Sequence, residues 1–288
     1  SLAVSESNLR MATAAQHANE AIPIFARIER VAELQKCLLA RETIERGLGD
    51  LQAARRTLQC VMQNSERQGN LDVNRVAVKK LALLEFAMGR FDRAAERNAE
   101  ALEASRHLGN LTSEARDSIN LAETLFECGR PAEADILFST VISQPSAQVE
   151  PDTREVARAL LSMVLLESDD PDSLSIASLI EDALVQIRRR GRRHSMLLAL
   201  SCELARSARF SLLGSIDSVW KEFQDSAHSS EIPPPADIHA QALLAYAISL
   251  LSRGRVEEAK LHVSSAVDLT TKADLPSWSA RAEAVCAT

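Results

Sequence analysis

Apolar and polar residues alternate along this chain with the period of an amphipathic α-helix. Apolar side chains recur three or four positions apart, which places them on one face of a helix. One such run contains Val76, Ala77, Leu81, Leu84 and Phe86. Stretches of β-branched and aromatic residues, which favour strands, are almost absent, and aromatic residues make up only 3% of the chain. The pattern predicts an all-α protein.

A short motif that pairs a glycine with an alanine separates the helical segments. It has the form Gly-x-apolar-x-x-Ala, and two degenerate copies lack either the glycine or the alanine. In chain order the copies begin at Gly49, Gly89, Gly129, Asp172, Gly214 and Gly254. Successive copies are 40, 40, 43, 42 and 40 residues apart, and so regular a spacing indicates a repeat protein.

Each residue of the motif has a physical role. A glycine adopts the left-handed backbone conformation that ends a helix at little cost. The alanine five positions later allows the next helix to cross its partner closely, because a larger side chain would hold the two backbones apart. We therefore expect a helix before each glycine, a second helix after it, and alanines such as Ala94 and Ala134 at the helix crossings.

The motif divides the chain into six helix-turn-helix repeats within one domain of residues 1–288. The repeats are predicted at roughly 31–68, 71–108, 111–147, 153–190, 194–229 and 237–272, with a closing helix at 276–287. A separate helix is expected at 6–20, and the next is expected to start near Pro23. Asp152 and Glu155 are expected to form a capping box at a helix start. The chain lacks an initiator Met, and we expect it to be part of a longer protein.

With this motif at this spacing, the sequence from Ala32 to about Thr271 resembles the tetratricopeptide repeat superfamily. It is most similar to repeats of about 40 to 42 residues, such as those of kinesin light chains and of maltose-activator-like bacterial transcription regulators. The resemblance implies a right-handed α-solenoid of about six helix-turn-helix repeats with flanking helices. In such a solenoid the first helix of each repeat lines a concave groove that binds a partner.

The resemblance also implies which residues line the groove. The positions that match the inward side of the first helices are Lys36, Leu39, Lys79, Leu83, Phe86, Arg116, Ile119, Glu123, Phe126, Gln241, Leu244 and Ile248. Family members that grip the C-terminal carboxylate of chaperones use a set of Lys, Asn and Arg there. Lys79 and Asn120 match single members of that set, but Leu83 stands where a polar residue is needed. A chaperone tail is therefore not the expected partner.

Charge and cysteine content limit the partner and the compartment. The net charge of -7 disfavours nucleic acid binding through this segment, because such affinity rests on Lys and Arg at phosphates. The five cysteines are scattered without a Cys-x-x-Cys pair, which indicates a reducing compartment rather than a disulfide framework or a zinc site. No apolar run is long enough to cross a bilayer. We expect an intracellular, cytoplasmic protein without membrane contact, and a nuclear location stays open.

Two charged runs each allow two interpretations. The basic run contains Arg188, Arg189, Arg190, Arg192 and Arg193. It is either a site for a phosphate or an acidic peptide, or a solvated helix end whose dipole favours cations, and the second interpretation is preferred. The acidic run contains Glu167, Asp169, Asp170 and Asp172. It is either a metal site or the start of a helix, and the second is preferred because the glycine and the distant glutamate of a calcium loop are missing.

No catalytic motif stands out in the sequence. A glycine-rich phosphate loop, a nucleophile elbow and a His-x-x-x-His pair are all missing, and no cofactor is expected. The sequence therefore predicts a non-enzymatic protein-protein interaction scaffold that binds a peptide or a helix of its partner in the groove. The alternative is an effector-sensing domain within a multidomain signalling or transcription regulator.

Overall fold

The described part of the chain is built from α-helices. The computed structural model describes residues 2–47, 50–145, 147–168, 171–191, 193–210, 216–229, 234, 236–273 and 275–287. The helices are α1 (Leu2–Arg27), α2 (Val31–Gly47), α3 (Leu51–Arg67), α4 (Leu71–Ala87), α5 (Phe91–His107), α6 (Leu111–Glu127), α7 (Pro131–Ser143), α8 (Pro151–Leu166), α9 (Ser173–Arg190), α10 (Arg193–Arg209), α11 (Ile216–His228), α12 (Ala236–Leu251), α13 (Val256–Lys272) and α14 (Pro276–Cys286). No strand occurs in these ranges, so the predicted all-α class is confirmed.

Among the described helices, five pairs of consecutive helices pack as hairpins: α2 with α3, α4 with α5, α8 with α9, α10 with α11, and α12 with α13. The even-numbered helices α2 to α12 are the first helices of the repeats, and the odd-numbered helices α3 to α13 are the second helices. The chain divides into two compact units, unit 1 with residues 1–117 and unit 2 with residues 118–288. The division falls within α6, and each unit is described by itself below.

The glycine of the motif ends the first helix as predicted. Gly89 and Gly129 have φ angles of 69° and 73°, in the left-handed region that favours glycine. The residue after each glycine then donates its backbone N–H to a carbonyl of the last helical turn, Arg90 to Glu85 at 2.8 Å and Arg130 to Leu125 at 2.9 Å. This is the hydrogen bond of a Schellman motif. Gly49 and Gly214 lie outside the described residues.

The alanine of the motif lies at a helix crossing in each complete repeat that is described. The motif alanines Ala54, Ala94, Ala134 and Ala259 each have no exposed surface. In unit 1, Ala54 belongs to a core in which Leu38 of α2 meets Leu58 of α3 and Leu81 of α4. The small side chain thus allows three helices to share one apolar interior.

Unit 2 has a larger core with an aromatic cluster near its end. The indole ring of Trp220 on α11 stacks on Tyr246 of α12 at 4.7 Å and on Phe223 at 5.6 Å between ring centroids. The Tyr246 hydroxyl donates to Asp217 at 2.7 Å. Cys202 of α10 lies fully buried in the same core, and burial raises the pKa of its thiol to about 12.

Two local predictions are wrong. Pro23 does not start a new helix: it lies inside α1, and the chain turns at Glu29, whose φ is 54°. Near the end of a helix a proline removes one hydrogen bond and need not stop the helix. The capping box also does not form. The N-cap of α8 is Glu150, Pro151 takes the first helical position, and Glu155 binds Arg158 at 2.7 Å instead.

Candidate partner-binding surface

In unit 1, three predicted groove residues form one stripe on α4. Lys79, Leu83 and Phe86 follow each other at four- and three-residue spacing, so they share a face of the helix. The neighbours Ala82 and Leu84 are fully buried, whereas Leu83 is 41% exposed. Lys79 and Phe86 are half-buried. An apolar side chain is therefore accessible between a cation and an aromatic ring.

The remaining predicted residues of unit 1 are also accessible to different degrees. Lys36 and Arg116 are exposed, and Leu39 is half-buried. Together with the α4 stripe we call them the first-helix surface of unit 1, which contains Lys36, Leu39, Lys79, Leu83, Phe86 and Arg116. This surface thus combines three cations with three apolar side chains.

Lys79 is held in place by a buried ionic network. Its Nζ lies 3.8 Å from Oδ1 of Asp117. The carboxylate of Asp117 also accepts hydrogen bonds from Arg75 at 3.0 Å and from the Ser105 hydroxyl at 2.6 Å. Burial lowers the pKa of Lys79, Asp117 opposes this effect, and the nearby cations, Arg116 among them, add to it. The network therefore fixes a positive charge at one point of the surface.

In unit 2, two predicted groove residues belong to the core. Ile119 is 6% exposed and Leu244 is 5% exposed, so their expected role on the surface is not supported. The resemblance fixed their position on a helix, but their burial depends on how closely the neighbouring helices approach. Ile248 of α12, by contrast, is 41% exposed.

The other predicted residues of unit 2 are half-buried. Phe126 and Glu123 lie on α6, and Gln241 lies on α12. The Gln241 amide donates to the Sδ atom of Met163 on α8 at 3.3 Å, so α8 and α12 approach each other on this side. We call Glu123, Phe126, Gln241 and Ile248 the first-helix surface of unit 2.

Glu123 is the carboxyl group of this surface, and its pKa is strongly raised. Burial raises its pKa to about 7, and the negative charges of Asp237 and Glu127 act in the same direction. Burial also raises the pKa of Glu127, which is opposed by Arg281 of α14 with Nη2 at 3.0 Å from Oε2 of Glu127. The sequence did not indicate Glu127, Asp237 or Arg281. A contact between residues 154 positions apart leaves no signal in the local spacing.

The basic run is occupied by contacts within unit 2. Arg188 binds Glu222 with two hydrogen bonds of 2.8 and 2.7 Å, and Arg190 lies 3.6 Å from Asp152. Arg193 donates to the backbone carbonyls of Ser226 and Ala227 at 2.9 and 2.7 Å, and so caps the end of α11. Arg189 is exposed, and Arg192 lies outside the described residues. The anion site there stays a prediction.

The acidic run contains a helix cap. The carboxylate of Asp172 accepts hydrogen bonds from the backbone N–H groups of Leu174 at 3.1 Å and Ser175 at 3.4 Å, at the start of α9. These hydrogen bonds agree with the preferred interpretation, the start of a helix. Asp169 and Asp170 lie outside the described residues. Among the residues that are described, no three His, Cys, Asp or Glu side chains are grouped as metal ligands.

None of the described helices combines the length and the apolar character that crossing a bilayer demands.

Comparisons with known proteins agree with the repeat architecture. The family model for the tetratricopeptide repeat matches residues 118–135, the end of α6 and the start of α7. A Rap protein in complex with competence and sporulation factor is similar in structure, with a TM-score of 0.70, 10% identity, and coverage of 94% of this chain and 73% of that one. The apo form of the quorum sensor NprR from B. thuringiensis has a TM-score of 0.60, 12% identity, and coverage of 93% and 86%.

At sequence identities of 10% and 12%, the similarity to these two structures concerns the fold. No curated protein matches the chain in sequence. The family match lies at one of the glycine-alanine motifs, and the two similar structures each cover more than nine-tenths of the chain. The chain therefore has the fold of a helical repeat protein, and its segment of residues 118–135 is similar to the tetratricopeptide repeat.

Proposed function

We propose that the chain is a non-enzymatic interaction domain that binds a peptide or a helix of a partner protein on the first helices of its repeats. The observation that carries this proposal is the stripe on α4, where the exposed Leu83 lies between Lys79 and Phe86. An accessible apolar side chain between a cation and an aromatic ring suits an apolar side chain of a bound segment. The fixed charge of Lys79 adds a polar contact beside it.

The similar structures support the proposal. The Rap protein is in complex with competence and sporulation factor, and NprR is a quorum sensor. The fold of this chain thus occurs in a protein that binds such a factor and in a quorum sensor. Predicted groove residues occur on first helices in both units, for example Leu83 in unit 1 and Ile248 in unit 2.

The test uses affinity capture with matched variants. The protein is captured from the native cell extract with its bound partners, and the affinity of each variant for the recovered partner is then measured. Lys79→Glu and Leu83→Asp should each weaken binding by about tenfold or more. Each substitution removes a favourable contact and places a carboxylate where the partner's matching group would lie. Arg93→Glu changes an exposed residue on the second helix α5 and should bind like the wild type.

Circular dichroism separates lost binding from lost folding. Leu83→Asp and Arg93→Glu should keep the helix content of the wild type, because both side chains are exposed. Lys79→Glu also removes the ion pair with the buried Asp117, so its affinity is interpreted only if its helix content and stability match the wild type. Undiminished affinity in both Lys79→Glu and Leu83→Asp would contradict a binding site on α4. A loss with Arg93→Glu alone would move the site to the second helices.

A sensor function is the second candidate, and the likeness to the quorum sensor NprR favours it. A sensor differs from a scaffold because its ligand shifts the population of two conformations. Hydrogen exchange with and without the recovered partner distinguishes them. A scaffold should be protected at the contact residues alone, whereas a sensor should also show changed exchange in helices that do not contact the ligand.

A further inference from the structure

A cavity in unit 2 lies between the second helices of its last two repeats. Its volume is about 490 Å³, which is in the range of pockets that bind small molecules. Its walls are formed by α11 and α13, and α12 contributes His239 and Leu243 between them. The cavity is lined by no residue of the two first-helix surfaces, so it is a separate candidate site.

The cavity and the first-helix surface of unit 2 are on different sides of α12. His239 and Leu243 are four positions apart, so they share one face of the helix. Gln241 of the first-helix surface lies two positions from each of them, which is roughly 200° around the helix. A ligand in the cavity would therefore leave the first-helix surface free for a partner.

The buried part of the lining is apolar and aromatic. Trp220 and Phe223 of α11 are buried, and so is Leu243 of α12. The indole ring of Trp220 already stacks on Phe223 and on Tyr246, with ring centroids 5.6 and 4.7 Å apart. A ligand would therefore pack an apolar body on ring edges and aliphatic carbons rather than stack on an open aromatic face.

The accessible part of the lining contains hydrogen-bond donors. The imidazole of His239 is half-buried, and its ring centroid lies 5.8 Å from that of Phe223. Lys272, the last residue of α13, is exposed. Within the described part of the chain, neither His239 nor Lys272 forms a hydrogen bond or an ion pair. Because α12 and α13 pack as a hairpin, the start of α12 and the end of α13 place both donors at the same end of the cavity.

The other end of the cavity is aromatic. His262 precedes Lys272 by ten positions, which corresponds to about 15 Å along α13. Its ring meets Trp220 edge-on, with centroids 5.2 Å apart. The cavity therefore extends from a polar end at Lys272 to an aromatic end at His262 and Trp220, and this arrangement suits a ligand with one polar and one apolar end.

The charges beside His239 indicate which polar group fits. Burial lowers the pKa of His239, and His228 of α11 acts in the same direction, so the imidazole is mostly neutral at pH 7. The charged residues of α13 that line the cavity are Asp268 and Lys272. A carboxylate brings one negative charge, which Lys272 neutralises while His239 donates a hydrogen bond. A phosphate would bring a further negative charge next to Asp268.

The histidines of this cavity do not form a metal site. Metal ligands converge on one ion, whereas the described residues contain no group of three His, Cys, Asp or Glu side chains that could hold one. In addition, Nδ1 of His228 contacts the backbone carbonyl oxygen of Gln224 at 2.6 Å.

We propose that the cavity binds an organic acid, with its carboxylate on Lys272 and His239 and its apolar body against Trp220 and Phe223. Such a site is additional to the proposed function, because it lies on the side of the second helices of unit 2. A free small acid and the C-terminal residue of a peptide present the same chemistry, a carboxylate attached to an apolar group.

The test compares three probes of one shape and different charge. Phenylpropionate, its neutral amide and phenylpropylamine are titrated into the protein at neutral pH, and calorimetry gives the affinities. The acid should bind at least about tenfold more tightly than the amide, because its charge strengthens the hydrogen bonds from Lys272 and His239. NMR of the imidazole signals should show that the pKa of His239 rises by about half a unit or more in the bound state, since a nearby negative charge favours the ionised imidazole.

Variants assign the binding to this cavity. Lys272→Gln and His239→Gln should each weaken binding of phenylpropionate by about fivefold or more. Lys260→Gln removes an exposed cation of the same helix, about 18 Å from Lys272 and outside the cavity, and should bind like the wild type. Circular dichroism checks that each variant is folded, and Lys272→Gln, at an exposed position, keeps the test decisive if His239→Gln does not fold.

Competition distinguishes the two sources of the acid. Displacement of phenylpropionate by acetyl-Gly-Gly-Phe with a free C-terminal carboxylate, but not by its C-terminal amide, would identify the end of a peptide as a ligand. A lack of displacement by both peptides would identify a free small acid.

Other results would overturn the acid site. These are no binding of phenylpropionate, equal or tighter binding of the amide or the amine, and unchanged affinity for the acid in both Lys272→Gln and His239→Gln. Displacement of phenylpropionate by inorganic phosphate, or by both peptides alike, would also overturn it, because the cavity would then not recognise a carboxylate on an apolar body.

Discussion

At the scale of single residues, alanines at the helix crossings allow the helices to pack closely. Ala54, Ala94, Ala134 and Ala259 have no exposed surface, and each lies at the same position after the glycine of its repeat. A larger side chain at these positions would hold the crossing helix backbones apart. A larger side chain at one of these alanine positions would displace a whole helix.

We therefore predict that Ala94→Trp and Ala134→Trp each lower the free energy of unfolding by about 1 to 3 kcal/mol or more. Urea unfolding followed by circular dichroism measures the change. Ala99→Trp, on the exposed side of α5, is the matched control and should shift stability by no more than about 0.5 kcal/mol. Wild-type unfolding in both buried variants would show that the helices cross elsewhere.

Glu123 gives a second prediction at this scale, which concerns pH. Its pKa rises from 4.5 to about 7 in the folded protein. The folded state therefore binds the proton more tightly than the unfolded state, so the stability that Glu123 contributes is complete below pH 4.5 and is lost as the pH rises through 7. Glu123→Gln cannot ionise and should be more stable than the wild type at pH 8, by on the order of 1 to 3 kcal/mol.

The measurement is the difference in unfolding free energy between variant and wild type at pH 5 and at pH 8. Half-buried histidines such as His239, whose pKa is lowered by partial burial, affect both proteins alike and cancel in the difference. Glu96→Gln, at an exposed position on α5, should follow the wild type at both pH values. Parallel profiles of Glu123→Gln and the wild type would contradict the raised pKa.

At the scale of elements, the joints between repeats are as regular as the turns within them. Asn70 and Asn110 lie forty positions apart and precede α4 and α6. Each side-chain oxygen accepts a hydrogen bond from a backbone N–H of the first turn, from Val73 at 3.2 Å and from Ser113 at 3.0 Å. These caps satisfy donors that the helix itself leaves unpaired.

Removal of one cap should lower stability measurably. We predict that Asn110→Ala lowers the free energy of unfolding by about 1 kcal/mol, because the Ser113 N–H loses its acceptor. Asn110→Asp keeps an oxygen at the same place and should stay within about 0.5 kcal/mol of the wild type. Thermal unfolding of the three proteins is the measurement, and equal losses in both variants would mean that the side-chain oxygen is not the stabilising group.

At the scale of the whole molecule, the sequence predicted the periodic features and missed the long-range ones. The glycines and alanines recur at a fixed distance, so their roles at Gly89 and Ala94 follow from local geometry. The pairing of Glu127 with Arg281 depends on how several repeats stack, which no local pattern encodes. The burial of Leu244 was missed for the same reason, because it depends on neighbouring helices.

In a repeat array each repeat contacts mainly its neighbours, so a substitution in one repeat changes mainly the stability of the helices next to it. We predict that Ala94→Trp increases hydrogen exchange in α4 and α5 of unit 1 much more than in α12 and α13 of unit 2. Exchange measured by mass spectrometry on both units gives the comparison. A uniform increase along the chain would indicate that the two units unfold as one cooperative block.

The buried thiol of Cys202 has a consequence for how unfolding can be observed. Only a thiolate reacts readily with alkylating reagents, and Cys202 is both shielded and kept protonated, whereas Cys60 and Cys286 are exposed. Under native conditions an iodoacetamide pulse should therefore label the two exposed cysteines at once and leave Cys202 untouched until α10 opens. The rate at which Cys202 is labelled therefore reports the opening of α10 in unit 2, and no dye or tag has to be introduced.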